Sequence, residues 1–103
     1  MNGFGLYGKF TVDDGNRDTL VDILLEAAES MQNLSECELY LVSVSSNEPN
    51  SIFVYEVWSN KKAHEDSLSL EATKRLIERA KPIITGMEEI SVLEPKGGKG
   101  FPN

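Results

Sequence analysis

The hydrophobic pattern is strongest over residues 51–58, Ser-Ile-Phe-Val-Tyr-Glu-Val-Trp. β-branched and aromatic side chains dominate this stretch and Ser59-Asn60 closes it, so it predicts a strand that runs into a helix start. Side chains alternate across a strand, which places Ile52, Val54, Glu56 and Trp58 on one face and Phe53, Tyr55 and Val57 on the other. Both faces are apolar enough to need cover. Glu56 stands out among them: a carboxylate set among aliphatics and an indole needs a partner, such as a Lys, an Arg or a backbone amide, or else an altered pKa.

Around this strand the pattern alternates between periods. Residues 4–12 set Phe4, Leu6, Gly8, Phe10 and Val12 against Gly5, Tyr7, Lys9 and Thr11, which predicts a half-buried strand. Asp13-Asp14-Gly15 ends it, and Asp14 can cap a helix whose inner positions Leu20, Leu24, Ala27, Ala28 and Met31 recur at helical spacing. Asp18, Asp22, Glu26 and Glu29 form the solvated side of that helix. Residues 37–45 predict a second strand, with Leu39 and Leu41 on one face and Tyr40, Val42 and Val44 on the other. Residues 46–50, Ser-Asn-Glu-Pro-Asn, predict the loop that joins it to the central strand. Asn60 can cap a short helix to about Asp66, and a longer helix follows from about Leu70 to Ala80 with Thr73, Leu76, Ile77 and Ala80 inward. Pro82 stops that helix, residues 88–94 make a last strand, and residues 96–103, rich in glycine and lysine, make a flexible tail. One domain over residues 1–95 is the expected organisation.

The order β-α-β-β-α-β, with right-handed crossovers, puts both helices on one side of a single antiparallel sheet. The fold class is α+β, a ferredoxin-like sandwich. Its other sheet face would leave Phe53, Tyr55 and Val57, together with Val42 and Val44, in water as a patch larger than monomers carry. A homodimer through the helix-free face is therefore expected.

Composition narrows the partners. At 103 residues and 40% hydrophobic the chain builds one modest core, too small to enclose a sizeable ligand readily without a second subunit. No apolar run reaches the length of a membrane span, and residues 1–10 lack the basic and apolar blocks of a secretory signal, so a cytoplasmic location is expected. A net charge of −7 argues against nucleic acid and against anionic membrane surfaces. The single cysteine, Cys37, lies between Glu36 and Glu38, which disfavour a thiolate, and reads as a structural thiol. His64, Glu65 and Asp66 are consecutive and diverge around a helix instead of converging on a metal. With no glycine-rich nucleotide fingerprint, phosphate loop or haem attachment motif, no cofactor is expected.

Histidine has the one side chain whose ordinary pKa suits proton transfer near neutrality, and His64 is the only histidine, six residues after Trp58. It is the best base candidate, although a lone histidine on a short helix is as often a packing residue. Trp58 can fill the core or form the flat wall of an aromatic pocket.

Tyr55-Glu56-Val57-Trp58 followed by Ala63-His64-Glu65-Asp66-Ser67 resembles the antibiotic biosynthesis monooxygenase domain family, which includes small quinol monooxygenase-like proteins. The likeness extends from about Tyr7 to about Val92. Many members have glycine just before the second strand, where this chain has Glu36. The resemblance implies a dimeric α/β barrel in which two sheets pack face to face, with a small-molecule pocket in each subunit between sheet and helices. It further implies a cofactor-independent, oxygen-dependent monooxygenase acting on a small dihydroxy aromatic or quinol, with dioxygen as the second substrate. His64 and Trp58 are then the catalytic candidates, and Trp58, Tyr7, Tyr40 and Glu56 the candidates for substrate binding. Two other readings stay open on the same fold: a non-enzymatic module that binds a small molecule, and haem degradation, for which the spacing from Trp58 to His64 is short.

Overall fold

The computed structural model describes residues 3–100. Its elements follow in the order β1 (Phe4–Val12), α1 (Arg17–Ser30), β2 (Cys37–Ser45), β3 (Glu48–Trp58), α2 (Lys61–Ser67), α3 (Glu71–Ala80) and β4 (Ile84–Leu93). The strands make one sheet in the order β2-β3-β1-β4, antiparallel throughout. This is the ferredoxin-like α+β arrangement, with the second helical segment divided into α2 and α3. Helix α1 packs on α3 and over β2 and β3, and α2 rests on β3. Among the described residues no helix is long and apolar enough to cross a membrane. No regular element follows Leu93 up to residue 100, and the end of the expected tail, residues 101–103, lies outside the described residues, as do residues 1–2.

The register fixes which residues share a face. Trp58 pairs with Phe4 and Cys37, Glu56 with Leu6 and Tyr40, Val54 with Gly8 and Val42, and Ile52 with Phe10 and Val44. Directly paired residues project to the same side of a sheet. On that side Ile52 and Val54 are sealed with Val12, Leu20, Ile23, Leu24 and Ala80, and Phe10, Tyr40 and Val42 pack against them. Val42 and Val44 therefore belong to the helix-covered side, which corrects their assignment to the open patch. Val57 does lie on the open side, paired with Gly5 and Leu39, but it is 0% exposed within one chain. The open patch is instead made by Tyr7, Leu39, Leu41, Phe53 and Tyr55, with Tyr7 stacked on Phe53 at 6.4 Å and edge-on to Tyr55 at 6.3 Å. Gly5 lets this face close: a Cβ there would come within 3.0 Å of the Leu93 carbonyl oxygen and 3.2 Å of the Tyr55 hydroxyl.

Several local expectations shift for identifiable reasons. Asp14 does not cap α1. Gly15, at φ 85°, turns the chain, the Asn16 N–H donates to the Asp13 carbonyl, and Asn16 precedes the helix without a side-chain cap. Asp14 instead accepts from Asn50 Nδ2 at 2.8 Å, tying the start of α1 to β3. Ile23 joins the buried side of α1, whereas Ile77 of α3, expected inward, is 41% exposed beside buried Thr73 and Ala80. The loop between β2 and β3 is shorter than residues 46–50: Ser45 already pairs with Glu48, and the ladder breaks between Val44 and Ser45. That break accommodates Pro49, which has no N–H to give to a ladder. Strand β4 starts at Ile84, earlier than residues 88–94 suggest, because Pro82 frees the β-branched Ile83-Ile84-Thr85 from the helix.

Candidate functional site

The candidate site forms where β3 gives way to α2. Asn60 is extended, and its side chain accepts from the Ala63 N–H at 2.8 Å, so α2 begins directly after the strand. Ala63 is buried with Trp58 and Met31, which turns that side of α2 onto the indole. The next residue, His64, then lies against the edge of Trp58, with ring centroids 5.8 Å apart at 64°. Its other neighbour is Phe4, 5.7 Å away, brought there as the β1 partner of Trp58. Ser67, itself buried, donates to the His64 carbonyl oxygen at 2.6 Å and ties off this turn.

Glu56 completes the cluster. It lies two residues before Trp58 on the same strand face, and Trp58 Nε1 donates to its Oε1 at 3.0 Å. His64 Nε2 stands 3.7 Å from that same oxygen, with side-chain exposures of 17% for His64 and 16% for Glu56. Burial raises the Glu56 pKa above the usual carboxylate range, and the indole N–H and His64 oppose the rise. Its partners are thus two aromatic rings, in place of the Lys, Arg or backbone amide expected from the sequence. Phe4 is the member of the cluster that sequence reasoning misses, since only the strand register brings it there.

Tyr40 shares the sheet row of Glu56 and packs against the Met31-Trp58-Ala63 cluster. Burial first, and then the Glu56 charge, push its phenol well above the ordinary tyrosine range, so near neutrality it keeps its proton and is available as a donor. Cys37 is pushed up to about 11, again by burial and then by Glu56, and its Sγ donates to the Leu39 carbonyl at 3.7 Å. It is a thiol at neutral pH and no nucleophile. Among the described residues no three His, Cys, Asp or Glu side chains are grouped to hold a metal ion.

Among the described residues, concavities lie on both faces of the sheet. Trp58 lines one of about 240 Å³ between α2 and the turn before β2, together with Leu34, Ser35, Glu36, Ala63, Asp66, Ser67 and Leu70; His64 is not among its walls. A second, of about 500 Å³, is bounded by Met31, Cys37, Leu39 and Tyr40 beside α1. A third, of about 330 Å³, lies on the open sheet face against Tyr7, Leu41, Phe53 and Tyr55. The structure thus brings Trp58, Glu56 and His64 into contact, keeps Tyr40 on their side of the sheet, and puts Tyr7 on the opposite face. Tyr7, a candidate for substrate binding, follows the odd-even alternation of β1 and faces the open side of the sheet, paired with Tyr55.

No curated protein matches the sequence significantly. Among solved structures, a candidate antibiotic biosynthesis monooxygenase from Chloroflexus aurantiacus is 33% identical, covers 97% of this chain and 99% of its own, and superposes with a TM-score of 0.87. A candidate antibiotic biosynthesis monooxygenase from Caulobacter crescentus shares the fold at 16% identity and TM-score 0.81, covering 93% and 92% of the two chains. One from Deinococcus radiodurans shares it at 21% identity and TM-score 0.74, covering 97% of each. The family model for antibiotic biosynthesis monooxygenase matches residues 4–79, a span that holds Phe4, Glu56, Trp58 and His64. On that match, and on the likeness to the Chloroflexus protein over almost its whole length, the chain belongs to the antibiotic biosynthesis monooxygenase family.

Proposed function

We propose that this protein is a cofactor-independent, oxygen-dependent monooxygenase acting on a small dihydroxy aromatic or quinol. Family membership supports a monooxygenase-like role. The observation that carries the finer reading is the wedged imidazole: His64 is held between Phe4 and Trp58 yet stays partly exposed. Among the described residues the only buried side-chain polar atom without a partner is Thr73 Oγ1, so neither ring nitrogen of His64 is both sealed and unpaired. It can accept a proton from a ligand.

The chemistry follows from the substrate's own electrons. His64 takes a phenolic proton, and the phenolate passes one electron to dioxygen. Recombination of the two radicals forms a carbon–oxygen bond. The ring peroxide then loses water as its O–O bond breaks, leaving one oxygen atom on the quinone product and the other in water; the four electrons that reduce dioxygen all come from the substrate. The protein supplies a positioned base and a dry aromatic environment. In oxygen-electrode assays without added flavin, haem or metal, the protein is expected to speed oxygen uptake by a panel of benzo- and naphthoquinols above an enzyme-free control. That Trp58 lines a concavity without His64 favours one second reading, a binding module. Saturable quenching of the single tryptophan by a quinol, with no acceleration over the control across the panel, would put that reading first.

The open sheet face supports a homodimer, and a cytoplasmic location suits a protonated lone Cys37. Leu41, 52% exposed on that face, reports on the dimer without disturbing the core. Leu41→Asp is expected to halve the mass seen by sedimentation at micromolar concentration, because an unpaired charge would be buried between the sheets. A wild-type mass of one chain would remove the dimer.

A further inference from the structure

We infer that Glu56 is a positioning residue: one of its carboxylate oxygens, Oε1, takes the Trp58 Nε1–H at 3.0 Å and faces His64 Nε2 at 3.7 Å, so that Nδ1 is the imidazole nitrogen left to meet the substrate. The substrate half of this statement rests on the proposed monooxygenase reading; the clamp itself does not.

Satisfying an indole N–H does not require a carboxylate. A backbone carbonyl or an amide would do so without the cost of a largely buried charge. The charge gains its use from His64. At 3.7 Å the Nε2–Oε1 approach is longer than a hydrogen bond with the imidazole at rest, and such contacts tighten when the catalytic complex forms. When Nδ1 takes the phenolic proton, Nε2 keeps its own hydrogen and the ring becomes a cation facing an anion. The carboxylate is placed to offset the positive charge that develops on the ring, which assists the transfer. Phe4 and Trp58 flank the ring and restrict its swing. Of the elements around the cluster, β1 brings Phe4, β3 brings Glu56 and Trp58, and β2 brings Tyr40 and Cys37, both protonated near neutrality. Glu56 is the charged group that faces the His64 imidazole.

The chain has one tryptophan and one histidine, so each ring gives one unambiguous NMR signal set. In the wild type the Trp58 indole N–H and the His64 ring signals are expected to move together through one pH interval, because both lean on the same oxygen. In Glu56→Gln the amide oxygen still accepts from the indole, so the N–H signal persists, but it no longer follows the imidazole. With a quinol that the wild type turns over, Glu56→Gln is expected to lower kcat about ten- to a hundred-fold and leave KM nearly unchanged. Thermal melting of the variant confirms that it is folded. Independent titration of the two rings in the wild type, or a Glu56→Gln protein that keeps both the coupling and the wild-type kcat, overturns the assignment. Absence of turnover in the wild type refutes the monooxygenase reading instead, and the coupled titration still decides whether Glu56 holds both rings.

Discussion

Trp58→Ala is expected to destabilise the fold by about 3 to 5 kcal/mol, read as a lower urea midpoint and melting temperature. Trp58 is 1% exposed and fills the space between Met31, Leu34, Cys37, Tyr40 and Ala63, so truncation leaves a cavity at the junction of β3, α1 and α2. It also removes the N–H that supports the Glu56 carboxylate, whose burial already raises its pKa. Small domains have only about 5 to 15 kcal/mol in total, so the variant is expected to be partly unfolded well below the wild-type melting temperature. Loss of turnover in Trp58→Ala therefore says little about substrate contact. Trp58→Phe is the sharper probe, since it keeps most of the bulk and drops the N–H, at a cost of about 1 to 3 kcal/mol for the carboxylate left without its donor. A Trp58→Ala protein that unfolds at the wild-type midpoint would refute the packing role.

The sequence makes local relations legible and leaves long-range ones open. Alternation along β3 puts Glu56 and Trp58 on one face, and a buried carboxylate beside an indole announces a constellation, because a period of two is a property of the strand itself. The cap at Asn60 is equally local, and with it the approach of α2 to Trp58. Phe4 is invisible at that level: only the pairing of β1 with β3 carries it to His64. Val42 and Val44 show the same limit in another form. The two faces of β2 are evident, but which of them continues which face of β3 depends on the hairpin register, and here the chain turns at Ser46-Asn47 and the ladder breaks beside Pro49. Tyr7 follows the alternation of β1 faithfully; its grouping with Trp58 came from the family likeness and not from the strand pattern. A residue on the open face can approach a helix-side site only through another chain or the sheet's end.

His64→Ala is expected to lower kcat for a quinol by about a hundred- to ten-thousand-fold, the usual cost of losing a general base. The sign of the accompanying pH effect follows from the chemistry. A base works in its neutral form, so the wild-type rate should rise with pH as the imidazole loses its proton and then level off, and the rising limb should be missing from the variant. His64 sits in the last turn of α2 with 17% of its side chain exposed, and its replacement opens far less of the core than replacement of Trp58. Stability and chemistry can therefore be separated: a variant that melts close to the wild type yet has lost the limb identifies His64 as the proton acceptor, and His64→Gln, which keeps a polar side chain of similar reach, should be as slow as alanine. Quinols oxidise spontaneously and faster as they ionise, so each rate is the excess over an enzyme-free control at the same pH. Equal excess rates for wild type and His64→Ala, with one pH profile between them, would take the imidazole out of the mechanism and leave solvent as the base.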